Sequence, residues 1–234
     1  MSRPLLLGHR GARACKSIPE NTLASFDRAL ADGCDGFEFD VRLTADAQAV
    51  VCHDPKVGRL EIARATAQQL PTLPRLHDVL ERYQRAFLDI ELKVPGLERT
   101  VIEVLRGRRP ERFVVSSFLP EVLKTLHTAD ATVPLGLICE TKPQQRGWNQ
   151  VPIKYVIAHR RLITKDLIGE VQAAGKRVIV WTVNTAAEMK RCTAWGVDGI
   201  ISDNTTLLCR TPRVLPNSQN LGDTKYLEKR KSRL

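Results

Sequence analysis

Alternation between short β-forming runs and helix-like segments constrains this chain more than any other feature. The runs fall at 5–8, 36–43, 87–92, 113–116, 135–139, 155–158, 177–183 and 199–202, with amphipathic segments at 21–31, 76–83, 97–106, 121–129, 165–174 and 186–195 between them. Strands that alternate with helices read as βαβ units, whose sheet is parallel. Gly33, Gly175 and Gly196 each follow a helical pattern and precede a strand, where C′ glycines belong. Glu20-Asn21-Thr22 puts capping side chains ahead of Leu23, Phe26 and Leu30, an i, i+3, i+7 apolar stripe. Segment 141–153 is too polar and too broken by proline for a full helix, which makes it the weakest crossover.

Eight strands are the number that closes a TIM (β/α)8 barrel, and an open doubly wound sheet is the competing architecture. The placement of charge decides between them. In the second run Phe37, Phe39 and Val41 share one face and Glu38 and Asp40 the other; in the third, Leu88, Ile90 and Leu92 oppose Asp89, Glu91 and Lys93. Apolar side chains would face the helices while charged ones project inward near strand ends, as catalytic groups do at the C-terminal face of a parallel barrel.

The chain has 234 residues, 43% of them hydrophobic, enough for one large core, and we expect a single barrel domain over 1–214. Its formal charge is +10, of which the polar tail at 215–234 carries +3, leaving +7 on the body. The tail reads as a basic, flexible end without a function of its own. Only 5% of residues are aromatic, too few stacking platforms to suggest nucleic acid as a partner. The six cysteines form no C-x-x-C pair and no disulfide framework, so reduced thiols and a cytoplasmic location are expected. The apolar stretch at 4–7 is too short for a signal peptide, and no run approaches a transmembrane span.

Within this frame a few side chains carry chemistry. Glu38 and Asp40, two apart on one strand face and so roughly 6.5 Å between Cα atoms, could address one hard cation, with Glu91 as a third oxygen donor. An all-carboxylate set favours Mg2+ or Ca2+ over zinc. His9 follows the first strand and His53 the extended run at 49–52, and two imidazoles beside one site suit paired acid and base work. Arg10 and Lys93 could neutralise the carboxylates or grip a phosphate.

Taken in order, His9-Arg10-Gly11, Pro19-Glu20-Asn21-Thr22, Glu38-x-Asp40, His53-Asp54, Glu91-x-Lys93, Ser117-Phe118 and Trp181-Thr182-Val183-Asn184 resemble the motif set of the glycerophosphodiester phosphodiesterase family, over about residues 4–208. The resemblance implies a TIM barrel that hydrolyses glycerophosphodiesters to sn-glycerol 3-phosphate and an alcohol with one divalent cation, Mg2+ or Ca2+, with Mn2+ also possible. It implies Glu38, Asp40 and Glu91 as metal ligands, His9 and His53 as the acid/base pair, and Arg10 and Lys93 as phosphate-binding cations. Glu20 and Asn21 match a loop beside the site, and Trp181 matches a wall at the barrel mouth that could pack against substrate. After His53-Asp54 the chain departs from the family pattern, with a shortened stretch that reduces the roof of the site. The loop at 13–18 is more basic than is usual and reads as a solvated turn.

The expected substrates are small deacylated phospholipids such as glycerophosphocholine or glycerophosphoethanolamine. One histidine would take the proton of the glycerol 2-hydroxyl as it attacks phosphorus while the other protonates the leaving alcohol, and water would then open the cyclic phosphate; direct attack by a metal-bound water is the second route open to the same residues. Lysophospholipase D activity and a non-catalytic phosphodiester-binding barrel are the alternative readings.

Overall fold

A computed structural model describes residues 3–211. The expected tail at 215–234 lies outside the described residues, as does the expected domain end at 214. Eight parallel strands form a closed barrel: β1 (Leu5–Gly8), β2 (Gly36–Leu43), β6 (Phe87–Leu92), β7 (Arg112–Ser117), β8 (Leu135–Cys139), β9 (Tyr155–His159), β10 (Arg177–Trp181) and β11 (Gly199–Ser202). Closure comes from β1, which pairs with β11 on one side and β2 on the other. A short strand, β3 (Ala49–Val51), lies antiparallel on β2 outside the barrel, and β4 (Lys56–Val57) with β5 (Leu60–Glu61) makes a separate small hairpin. Helices α1 (Leu23–Ala31), α2 (Leu76–Arg82), α3 (Glu98–Gly107), α4 (Pro120–Ala129), α6 (Lys165–Ala173), α7 (Ala186–Ala194) and α8 (Thr205–Arg210) run between or after the strands. The doubly wound alternative is excluded by the closed ring.

The weak crossover holds only α5 (Lys142–Arg146) and a 3-10 turn, Trp148–Gln150, in agreement with its polar, proline-broken sequence. Several expected boundaries move, most by a single residue. Helix α1 starts at Leu23 rather than 21, because Thr22 is the N-cap, accepting from the Ser25 amide at 3.2 Å, while Asn21 sits outside at φ 57°. Strand β7 begins one residue earlier and ends one later than expected, and β10 stops at Trp181 although the Val183 amide still donates to Ile201. The three C′ glycines adopt the positive φ assigned to them, between 72° and 103°.

Strand alternation separates two cores. Phe37, Phe39, Val41, Leu88, Ile90 and Leu92 face outward and pack beneath the helices; Phe26 of α1 stacks on Phe37 with centroids 4.2 Å apart. Inside the barrel, Leu7, Phe87, Val114, Ile138, Tyr155, Ile157, Ile179 and Ile201 form an apolar plug. On β2 and β6 the inward positions instead carry Glu38, Asp40, Asp89 and Glu91, all buried, so acid is concentrated on one wall. No helix among the described residues is long and apolar enough to cross a membrane.

Candidate active site

The C-terminal ends of β1, β2, β6, β10 and β11 bring most of the singled-out residues to one mouth. Asp40 is the Cα partner of Glu91 across β2 and β6, and Glu38 lies two residues below Asp40 on the same face. One carboxylate oxygen from each of Glu38, Asp40 and Glu91 can be chosen so that all lie within 4.8 Å of one another. Burial pushes Glu38 well above the ordinary carboxylate range, and the neighbouring carboxylates Asp40, Glu91 and Asp89 push it further. Burial, with Asp40 beside it, takes Glu91 up to about 7 against the opposing pull of Lys93. Asp40 is also buried, which alone would raise it, but Lys93, Arg10 and the Asn21 hydrogen bond hold it below its usual value. One member of the trio is therefore kept ionised while two are strained towards protonation.

The trio fits a hard divalent cation on two counts. Its donors are all oxygen, the set that Mg2+ and Ca2+ prefer. Glu38 Oε1 and Asp40 Oδ1 are buried and make no hydrogen bond, although buried polar atoms ordinarily find partners.

Around the trio, cations are already engaged. Lys93 Nζ lies 2.6 Å from Glu91 Oε1 and 3.3 Å from Asp40 Oδ1. The Arg10 guanidinium reaches Glu20 at 2.6 Å and Asp40 at 3.2 Å, and its backbone amide donates to Glu38 Oε2 at 3.0 Å. This placement needs the tight turn of His9-Arg10-Gly11: Arg10 and Gly11 take φ 50° and 81°, and a Cβ on Gly11 would stand 2.4 Å from Ser25 Oγ. Asn21 gives its amide to Asp40 at 2.8 Å, so it orients a carboxylate. Glu20 also binds Arg13 at 2.7 Å, and Arg13 reaches Asp203 at 3.3 Å, while the loop at 13–18 is the largely exposed turn expected.

The two histidines differ in setting. His9 is buried, with Nε2 3.7 Å from Glu38 and Nδ1 2.6 Å from Asp203 Oδ1. A carboxylate can only accept, so Nδ1 carries a proton towards Asp203 and Nε2 faces the trio. His53 reaches the mouth from the β2–β3 hairpin, whose Cys52 amide donates to the Asp40 carbonyl at 3.0 Å. Its side chain is 35% exposed and pairs with Asp54 at 2.8 Å. Trp181 ends β10 with its indole N–H on the Ile157 carbonyl and its ring edge-on to Phe118 and His159. All ten singled-out residues thus belong to this mouth or its rim.

Asp203 was missed. Burial would raise its pKa, yet hydrogen bonds from His9 and Asn184 and the charges of His9 and Arg13 hold it far below the ordinary range. Asn184 donates to its second oxygen at 2.6 Å and accepts its backbone amide. The rule that found Glu91 would have found it: Asp203 shares an inward face with Ile201, immediately past the last strand. His159, inward at the end of β9 beside Trp181, was also missed and lines the same mouth.

A closed parallel barrel with an acid-rich, histidine-flanked C-terminal mouth defines a TIM-barrel hydrolase of the phosphodiesterase class. The chain belongs to the glycerophosphoryl diester phosphodiesterase family, whose model matches residues 9–207. A glycerophosphodiester phosphodiesterase of Caldanaerobacter subterraneus subsp. tengcongensis is 28% identical over 90% of this chain and 98% of its own length. That of Bacillus altitudinis is 30% identical over 85% and 94%. In fold the chain resembles an Oleispira antarctica phosphodiesterase solved in complex with the product sn-glycerol-3-phosphate, with TM-score 0.78, 24% identity and coverage of 88% of this chain and 95% of that one. The barrel and the phosphodiesterase activity expected from the sequence are borne out.

Proposed function

We propose that the chain hydrolyses water-soluble glycerophosphodiesters, such as glycerophosphocholine or glycerophosphoethanolamine, to sn-glycerol 3-phosphate and the free alcohol. One divalent cation, Mg2+ or Ca2+ with Mn2+ as a substitute, would be held by Glu38, Asp40 and Glu91, and would polarise the phosphoryl oxygens. The observation that carries this reading is the convergence of three buried carboxylates, with Glu38 Oε1 left without a partner, on the space flanked by His9 and Lys93.

His9 is suited to take the proton of the attacking hydroxyl: its free Nε2 points inward, and Asp203 stabilises the imidazolium that forms. His53, nearer solvent, then protonates the departing alcohol oxygen, and water opens the resulting cyclic phosphate to sn-glycerol 3-phosphate. Lys93 and Arg10 neutralise charge on the phosphoryl oxygens, with Glu20 holding Arg10 in place. Asn21 steadies Asp40, and Trp181 forms the wall against which glycerol or the leaving alcohol packs. Cysteines with no C-x-x-C pair and no disulfide framework suit a reducing compartment, and we place the enzyme in the cytoplasm.

Release of sn-glycerol 3-phosphate from a panel of glycerophosphodiesters, with Mg2+, Ca2+ and Mn2+ in turn, tests substrate and cation together. The reading expects release that EDTA abolishes; activity that survives complete chelation would remove the cation from it. Faster turnover of lysophospholipids than of glycerophosphocholine would replace it with the lysophospholipase D alternative.

A further inference from the structure

The opposite, N-terminal mouth of the barrel carries charge that the phosphodiesterase reaction does not use. Arg112 and Arg177 are the first residues of β7 and β10, at positions paired with Phe87 and Tyr155. Alternation puts Arg112 on the inward face with Val114, and Arg177 on that of Ile179, beneath the apolar plug. Lys154, just before β9, and Arg109, in the turn before β7, complete the ring around a cavity of about 370 Å3 floored by Phe87 and Tyr155.

Among the described residues, no carboxylate lies within ion-pair distance of Arg112, Lys154 or Arg177; Arg109 has Asp130 at 3.7 Å. Glu111 is the single acid lining the cavity, so the lining carries a net charge of +3. Two guanidiniums lie against aromatic rings, Arg112 over Phe87 at 5.9 Å and Arg109 over Phe113 at 5.4 Å, contacts that position them without neutralising them. The cavity is within the range of small-molecule sites, roughly 300–1,000 Å3. Guanidiniums match phosphate oxygens in bidentate fashion, whereas a singly charged anion would leave most of this charge unanswered.

We propose that the N-terminal mouth is a second anion site, separate from the catalytic one, and that it takes a phosphate monoester or phosphate dianion. Arg112, Arg177 and Lys154 supply the donors, and Tyr155, beside Arg177, forms its floor. Two sources share this chemistry, inorganic phosphate and small phosphorylated metabolites.

Isothermal titration on the full-length protein at constant ionic strength distinguishes these sources, with inorganic phosphate and sn-glycerol 3-phosphate as separate probes and sodium chloride as the balancing salt. Wild-type protein is expected to bind two equivalents of at least one probe, one at each mouth. The double variant R112Q/R177Q is expected to lose one equivalent, or to bind it at least about tenfold more weakly, the loss of charged hydrogen bonds, with kcat for glycerophosphodiester hydrolysis unchanged. In wild type, a second equivalent bound with phosphate alone would identify inorganic phosphate as the ligand, and with glycerol 3-phosphate alone the phosphorylated metabolite. One equivalent in wild type, or equal affinities in wild type and variant, would overturn the proposal. If the double variant fails to fold, K154Q at an exposed position carries the same comparison: unchanged affinity for the second equivalent overturns the site, and weakening supports it.

Discussion

At the C-terminal mouth the charges are buried and interlocked: Asp40 is 1% exposed and is held by Lys93, Arg10 and Asn21, while His9 leans on Asp203. At the N-terminal mouth Arg112, Lys154 and Arg177 are exposed and face no carboxylate within ion-pair distance among the described residues. Burial is the source of the difference. A desolvated charge is costly unless paired, so one end of the barrel has a fixed, preorganised network. Water screens the other end, where like charges can stand together until an anion arrives. The interlocked end also contains the frustration a cation would relieve, since Glu38 and Glu91 are both raised by burial and by the neighbouring Asp40 carboxylate.

Changing Glu38 tests the contrast most severely. Glu38→Gln should abolish measurable turnover, yet raise the melting temperature of the cation-free protein at neutral pH, because it removes a buried charge disfavoured there. A lower melting temperature would show that the frustration is not real. His9→Ala should lower kcat by about 10²- to 10⁴-fold in steady-state assays, with the fold intact by circular dichroism. Asp203→Asn should lower kcat by about 10- to 100-fold with little change in KM, as expected of a residue that positions His9 without touching substrate; a change confined to KM would assign it to binding.

Asp89 offers a smaller effect on stability. Burial takes it up to about 7, with the Ser116 hydrogen bond opposing and Glu91 and Asp40 adding. Its folded value lies above the roughly 4 of an unfolded chain, so the folded state binds the extra proton. Its contribution is fully present below about pH 4 and is lost as pH rises through about 7. Denaturation of cation-free protein across that window should show stability falling with pH, and Asp89→Asn should flatten the fall. Least of all, Arg177→Ala at the open mouth should move stability by no more than about 0.5 kcal/mol, the usual range for surface positions. A much larger loss would mean that this mouth is interlocked after all.

Much of this was legible because a parallel barrel repeats one local rule. Period-two alternation placed Glu38, Asp40 and Glu91 inward before any coordinates, and five of the eight strands have the expected bounds. Alternation within strand interiors does not reach Asp203, one residue past β11, or the arginines that begin β7 and β10. Asn21 was placed in a helix because its side chain is a good cap; only its contact with Asp40 explains the left-handed backbone outside α1.

By itself the sequence determined the strand count, the face each inward residue occupies and the order of motifs, since these follow from local periodicity and covalent spacing. Tertiary structure alone decided which charges meet: His9 with Asp203 across 194 positions, Lys93 between two carboxylates, and four cations around a mouth drawn from three separate stretches of chain. Pairing, burial and the resulting shifts in acidity depend on three-dimensional proximity, and ring closure brings β1 beside β11 where chain distance separates them most.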